Sequence, residues 1–132
     1  MDLTGLKIFD KISLIIKEDF FMYSSEQLKR IQNLNDLLRI FHKNGEIVYS
    51  SGMSIFSNYD LFQIMRAISF YDGFNENNNP YLEKDFGIIN FKNYKIIWKI
   101  DYYDTELKYH SSAPYDSTKT RRVMTVMLAD EY

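Results

Sequence analysis

The stretch from Tyr94 to Asp104 limits the fold of this chain most. Strand side chains alternate between two faces. Ile96, Trp98, Ile100 and Tyr102 therefore point one way, and Ile97, Lys99, Asp101 and Tyr103 point the other. The first set is apolar enough to need a core beneath it. The second carries a lysine and a carboxylate two residues apart with a tyrosine beside them. A chain containing this segment must build a sheet with one buried face, and the charged face is the first place to look for a site.

The neighbouring residues extend the sheet. Phe86 to Phe91 and Tyr94 to Tyr103 flank Lys92-Asn93, which predicts a tight hairpin. Asp104-Thr105-Glu106 reads as a turn and Leu107 to His110 as a third strand. Asp116 or Ser117 then caps a final helix, with Val123, Met124, Met127 and Leu128 on its apolar side and Arg121-Arg122 near its start.

Upstream the spacing is helical. Leu6, Phe9, Ile12, Ile16 and Phe20 predict a helix over residues 4–22. Ser24 or Ser25, with Glu26 or Gln27 near the third position, marks a second start. Leu28, Ile31, Leu34, Leu38 and Phe41 form its stripe, and Asn44-Gly45 stops it. Glu46 to Ser50 is a short strand. Ser57 or Asn58 caps a further helix striped by Leu61, Ile64, Met65, Ile68 and Tyr71, with Gly73 as its stop. Helices precede the strand meander instead of alternating with strands, which indicates α+β. The expected architecture is one small domain over residues 24–132, its helices packed on one antiparallel sheet with a C-terminal helix. Residues 1–23 form an N-terminal extension.

Composition excludes several classes. A length of 132 residues suffices for one hydrophobic core. The formal charge of −2 supports neither a strongly basic nucleic-acid face nor a DNA mimic. There is no cysteine and there are only two histidines, His42 and His110. Disulfide scaffolds and thiolate zinc sites are thereby removed, and a closed zinc site has too few ligands. No metal or cofactor is expected. No apolar run is long enough to span a membrane, so a cytoplasmic location is the expectation. Eleven tyrosines and ten phenylalanines are the outlier, and tyrosine favours binding surfaces.

The candidate surface comprises Asp85, Lys99, Asp101, Tyr103, Asp104, Arg121 and Arg122. A metal-dependent nuclease or hydrolase would use Asp85 and Asp101 for the ion and Lys99 to orient water or stabilise charge. The order Lys-x-Asp reverses the Glu-x-Lys order common in restriction-type nucleases, and an ordinary cross-strand ion pair or a binding surface accounts for it better. Asp85-Phe86-Gly87 copies the kinase metal-binding tripeptide in a chain without the other kinase motifs, and reads as a turn into a strand. The arginine pair suits a phosphate or an acidic partner.

The blocks Phe74 to Pro80, Asp85 to Gly87, Trp98 to Asp104 and Thr120 to Tyr132 resemble a domain family of unknown function from proteobacterial genomes, plasmids and phages. The resemblance runs over about residues 32–132. It implies no activity. Mobile-element families of this kind often include inhibitors of host defence. The expectation is a non-enzymatic protein-binding protein, an anti-CRISPR-like inhibitor that occludes a bacterial protein complex. The small nuclease is the alternative, and a tyrosine-joined homodimer is a third reading.

Overall fold

A computed structural model of the chain describes residues 22–132. The helix expected over residues 4–22 lies outside them but for its last residue. Helix α1, Ser25–Phe41, begins with a capping box in which the Gln27 backbone N–H donates to Ser24 Oγ and the Gln27 side chain accepts from the Ser24 N–H. The left-handed residue that ends it is His42, at φ 56°, ahead of Asn44 at φ 59°. Strand β1, Glu46–Tyr49, and a 3₁₀ turn, Ser51–Ile55, lead to helix α2, Asn58–Ser69, capped by Ser57.

Helix α2 ends at Ser69, before Gly73, and Arg39 of α1 satisfies the carbonyls at its end. The buried Arg39 guanidinium donates to the carbonyls of Ile68, Ser69 and Tyr71 at 2.9, 3.1 and 3.0 Å. That interaction relieves the orphan acceptors found at any helix C-terminus.

Strands β2, Phe86–Phe91, and β3, Tyr94–Tyr103, form the expected hairpin, with Lys92 and Asn93 both at positive φ. That pair of conformations matches the right-handed twist of the strands. The chain then departs from expectation twice. Leu107 to His110 is not a strand: Leu107 turns to φ 60°, and only a single bridge joins His110 to Tyr103. The expected C-terminal helix is strand β4, Arg121–Leu128, followed only by a 3₁₀ turn, Ala129–Glu131. Asp116 closes a local turn onto Thr118 instead of capping a helix.

The sheet order is β1-β4-β3-β2, with β1 parallel to β4 and the other pairs antiparallel. It is a mixed sheet in an α+β domain. As a central strand, β4 buries residues on both faces: Met124 and Val126 opposite Ile100 and Trp98, and Met127 opposite Ile97. Apolar residues on both faces hide the period of two and imitate helical spacing. Both helices lie on the face of Trp98, Ile100 and Met124, where Ile31, Leu38, Ile64 and Ile68 complete the core.

Candidate functional site

The seven candidate residues do not form one surface. Lys99 and Asp101 point away from the helices, as their alternation requires, and pair with each other. Tyr103 stands on the same face opposite Arg121, whose guanidinium pairs with Glu46 of β1. These four residues make a charged outer face in which each ionic group already has a partner. Asp104 organises the next turn, accepting from the Glu106 and Lys108 N–H groups at 3.2 and 3.0 Å.

Arg122 and Asp85 belong to the other side. Arg122 pairs in register with Tyr102, on the helix-bearing face, and is almost fully buried. Its Nε donates to Asn35 Oδ1 at 2.9 Å, and a terminal nitrogen donates to the Pro114 carbonyl. Its plane lies 5.0 Å from the Tyr102 ring centroid. Asn35 Nδ2 donates to Tyr102 Oη at 2.8 Å and to the Glu83 carbonyl at 2.9 Å. The Tyr102 hydroxyl also favours the charged form of the Glu83 carboxyl. Asp85 continues the ladder through its carbonyl, which accepts from the Ile100 N–H at 2.8 Å, so alternation places it with Ile100.

This cluster is electrostatically strained in one direction. Burial pushes the Glu83 carboxyl up, with the Tyr102 hydrogen bond opposing. Burial also raises Asp85, and the neighbouring Asp101 charge adds to it. Tyr102 is pushed far up by burial, with Glu83 and Asp85 adding. Burial lowers Arg122, against the pull of Tyr102 and Glu83. The network links α1 to β3 and β4 through groups already bonded to one another.

The nuclease constellation does not assemble on one face. Lys99 and Asp101 face outward, while Asp85 starts on the helix side. Among the described residues, no three histidine, cysteine or carboxylate side chains gather to hold a metal ion. Gly87 of the Asp-Phe-Gly tripeptide has no positive φ. A Cβ there would fall 2.5 Å from Trp98 Nε1 and 2.8 Å from Tyr71 Cζ, so close ring packing is what requires glycine.

The surface best suited to binding lies elsewhere. The C-terminal end of α1 and the outer side of α2 enclose a groove of about 540 Å³. It is lined by Ile40, Phe41 and His42 from α1, and by Phe62, Met65 and Phe70 from α2 and its cap, with Arg66 and Ser69 beside them. Phe41 is 64% exposed, Phe62 61% and Phe70 75%. Tyr59, one turn before Phe62, is exposed as well. The Arg66 guanidinium sits 5.9 Å from the Phe70 ring centroid, and no carboxylate lines the groove.

This surface had a signal in the sequence. Tyr59, Phe62, Arg66 and Phe70 repeat at three, four and four residues, a second stripe opposite the buried Ile64 and Ile68. A helix with large apolar side chains on two faces has one face too many for a two-layer domain. Phe41, read as part of the buried stripe of α1, belongs to the same exposed cluster, while Asn35 and Arg39 join Leu28, Ile31 and Leu38 among the buried residues of α1.

Among the described residues no helix is long and apolar enough to cross a membrane. No curated protein and no solved structure matches the chain. Residues 49–131, more than half of the chain, match the family described as "Protein of unknown function (DUF3768)", and the chain belongs to that family.

Proposed function

We propose that this chain is a non-enzymatic protein-binding protein that engages its partner through the aromatic groove between α1 and α2. The observation that carries this reading is the solvent-facing cluster of Phe41, Phe62 and Phe70. Large contiguous apolar patches are uncommon on monomeric domains and mark interaction sites. Aromatic side chains with an arginine at the edge are the residue types that dominate binding energy. The partner segment is an amphipathic one, its apolar side chains filling the groove and a carboxylate meeting Arg66, the one fully charged side chain in the lining.

The finer reading is a cytoplasmic inhibitor from a phage or mobile element, which occludes a bacterial defence complex. Its support is the small size, the separation of Asp85 from the outward-facing Lys99 and Asp101, and the sequence resemblance described above. The test is a panel of bacterial strains, each carrying one defence system that clears a targeted plasmid. Expression of the wild-type chain protects the plasmid in at least one strain, and Phe62→Asp abolishes protection. Normal clearance in every strain with folded protein present overturns the inhibitor reading.

A further inference from the structure

The two edges of the sheet are built differently. At β2, the Tyr71 ring packs against Gly87 and its hydroxyl interacts with the Ile88 backbone, held in place by Gly73 and Asn78. At β1, no strand lies on the outer side among the described residues. The sequence Glu46-Ile47-Val48-Tyr49 favours a strand and carries none of the lysines, prolines or bulges that blunt exposed edges. Val48 is 40% exposed and Tyr49 46%.

We propose that β1 pairs antiparallel with β1 of a second copy about a two-fold axis at Val48, joining two four-stranded sheets into one. The proposal is independent of the groove between α1 and α2.

Backbone direction decides the register. The Ser50 N–H donates to the Val126 carbonyl at 3.0 Å. Alternate residues of an edge strand bond inward, so Glu46, Val48 and Ser50 serve β4. Ile47 and Tyr49 therefore turn their N–H and C=O groups outward. An antiparallel neighbour forms its hydrogen-bonded pairs with such outward residues. An axis at Val48 sets Ile47 opposite the partner's Tyr49, and Tyr49 opposite the partner's Ile47. Moving the axis by one residue sets one outward residue against itself and leaves the other facing a position beyond β1.

The side chains agree with this register. Val48 meets the partner's Val48 in a non-hydrogen-bonded pair, the kind in which side chains come closest. The Tyr49 ring lies beside the partner's Ile47 on the helix-bearing face, an aromatic to β-branched pair. Glu46 falls opposite the partner's Ser50, so no like charges are opposed, and its carboxylate stays paired with Arg121. The strand complements itself in backbone, apolar contact and charge, which selects a second copy over a foreign strand. The contact is isologous and closes at two copies.

The experiment measures the mass of the full chain by sedimentation from low to high micromolar concentration. The expected result is a monomer–dimer equilibrium that Val48→Lys weakens about tenfold or more, because two like charges then meet at the axis. Circular dichroism checks that this variant keeps its fold. The chain has no cysteine, so Val48→Cys supplies a single thiol per copy. Directly opposed residues of a non-hydrogen-bonded pair lie within disulfide range, so mild oxidation should link the copies. Glu46→Cys, about 14 Å from its symmetry mate in this register, should not link. A monomer at every concentration, a dimer that Val48→Lys leaves unchanged, or cross-linking as fast at position 46 as at position 48 overturns the proposal. A dimer lost in Phe62→Asp would place the contact in the groove and overturn it too. None of these outcomes bears on whether the groove binds a different protein, so the two readings fail separately.

Discussion

Arg122 Nε donates to Asn35 Oδ1 at 2.9 Å across 87 residues of sequence, fastening the central strand β4 to helix α1. The bond belongs to a network in which Asn35 also donates to the buried Tyr102 hydroxyl and to the Glu83 carbonyl. Removing one member strands the others, because a buried charge or donor left unpaired costs more than the bond itself contributes. Asn35→Leu should therefore destabilise the fold by about 2–4 kcal/mol in urea unfolding. Adding Arg122→Met to it should cost clearly less than the sum of the single variants. Simple additivity would mean that the two side chains do not act as one unit.

The same cluster sets a pH dependence. The Glu83 and Asp85 carboxyls are raised above their ordinary values, chiefly because partial burial desolvates them. Between the unfolded and folded values, the folded state holds more protons than the unfolded state. Their contribution to stability is thus full below the unfolded pKa and is lost as pH rises through the folded pKa. Glu131 and Asp116 titrate low, held there chiefly by hydrogen bonds from Ser50 and Thr118 respectively, and act in the opposite sense. The clean readout is the difference between variant and wild type. Glu83→Gln should gain stability relative to wild type as pH is raised from 4 towards 7, measured by urea titration at each pH. A difference independent of pH would remove Glu83 from the account.

Gly87 is the contact point of the ring cluster. Tyr71 and Phe74 pack edge-on against Trp98 at centroid distances of 5.5 and 6.0 Å, and Arg39 lies 5.5 Å from the Trp98 ring centroid. Gly87→Ala should cost about 1–3 kcal/mol, the usual range for forcing a methyl into a packed interior. Trp98 is the single tryptophan, so its emission reports the displacement directly. A red shift is expected. Unchanged emission with unchanged stability would contradict the close packing.

What the sequence made legible follows from local physics. The Ser24 and Ser57 caps, the Lys92-Asn93 turn and the two-faced strand β3 each depend on a few adjacent residues, and all appear in the structure. Strand β4 was hidden because its placement is a long-range fact. Its parallel pairing with β1 and antiparallel pairing with β3 bury both faces, and Arg122 sits inward where a periodic reading places an apolar residue. Asn35 and Arg39 were missed for the same reason: polar side chains on the buried stripe of α1 make sense only once their distant partners are known. The candidate charges on β3 were correctly placed on one face, but spacing alone could not show that Lys99 pairs with Asp101 and Arg121 with Glu46. The second stripe of α2 was present in the sequence and carries the surface on which the functional proposal rests.

The central claim is that the Phe41, Phe62 and Phe70 groove carries a specific protein interaction. The most direct measurement is affinity capture from a bacterial lysate with wild type and Phe62→Asp side by side, followed by binding of the identified partner as a purified pair. Phe62 is exposed, so the variant should keep the wild-type circular dichroism and melting temperature to within a few degrees. The account predicts one partner that binds the wild type in the purified pair and binds the variant at least tenfold more weakly. A partner held equally by both proteins, or no partner that survives purification, would contradict it.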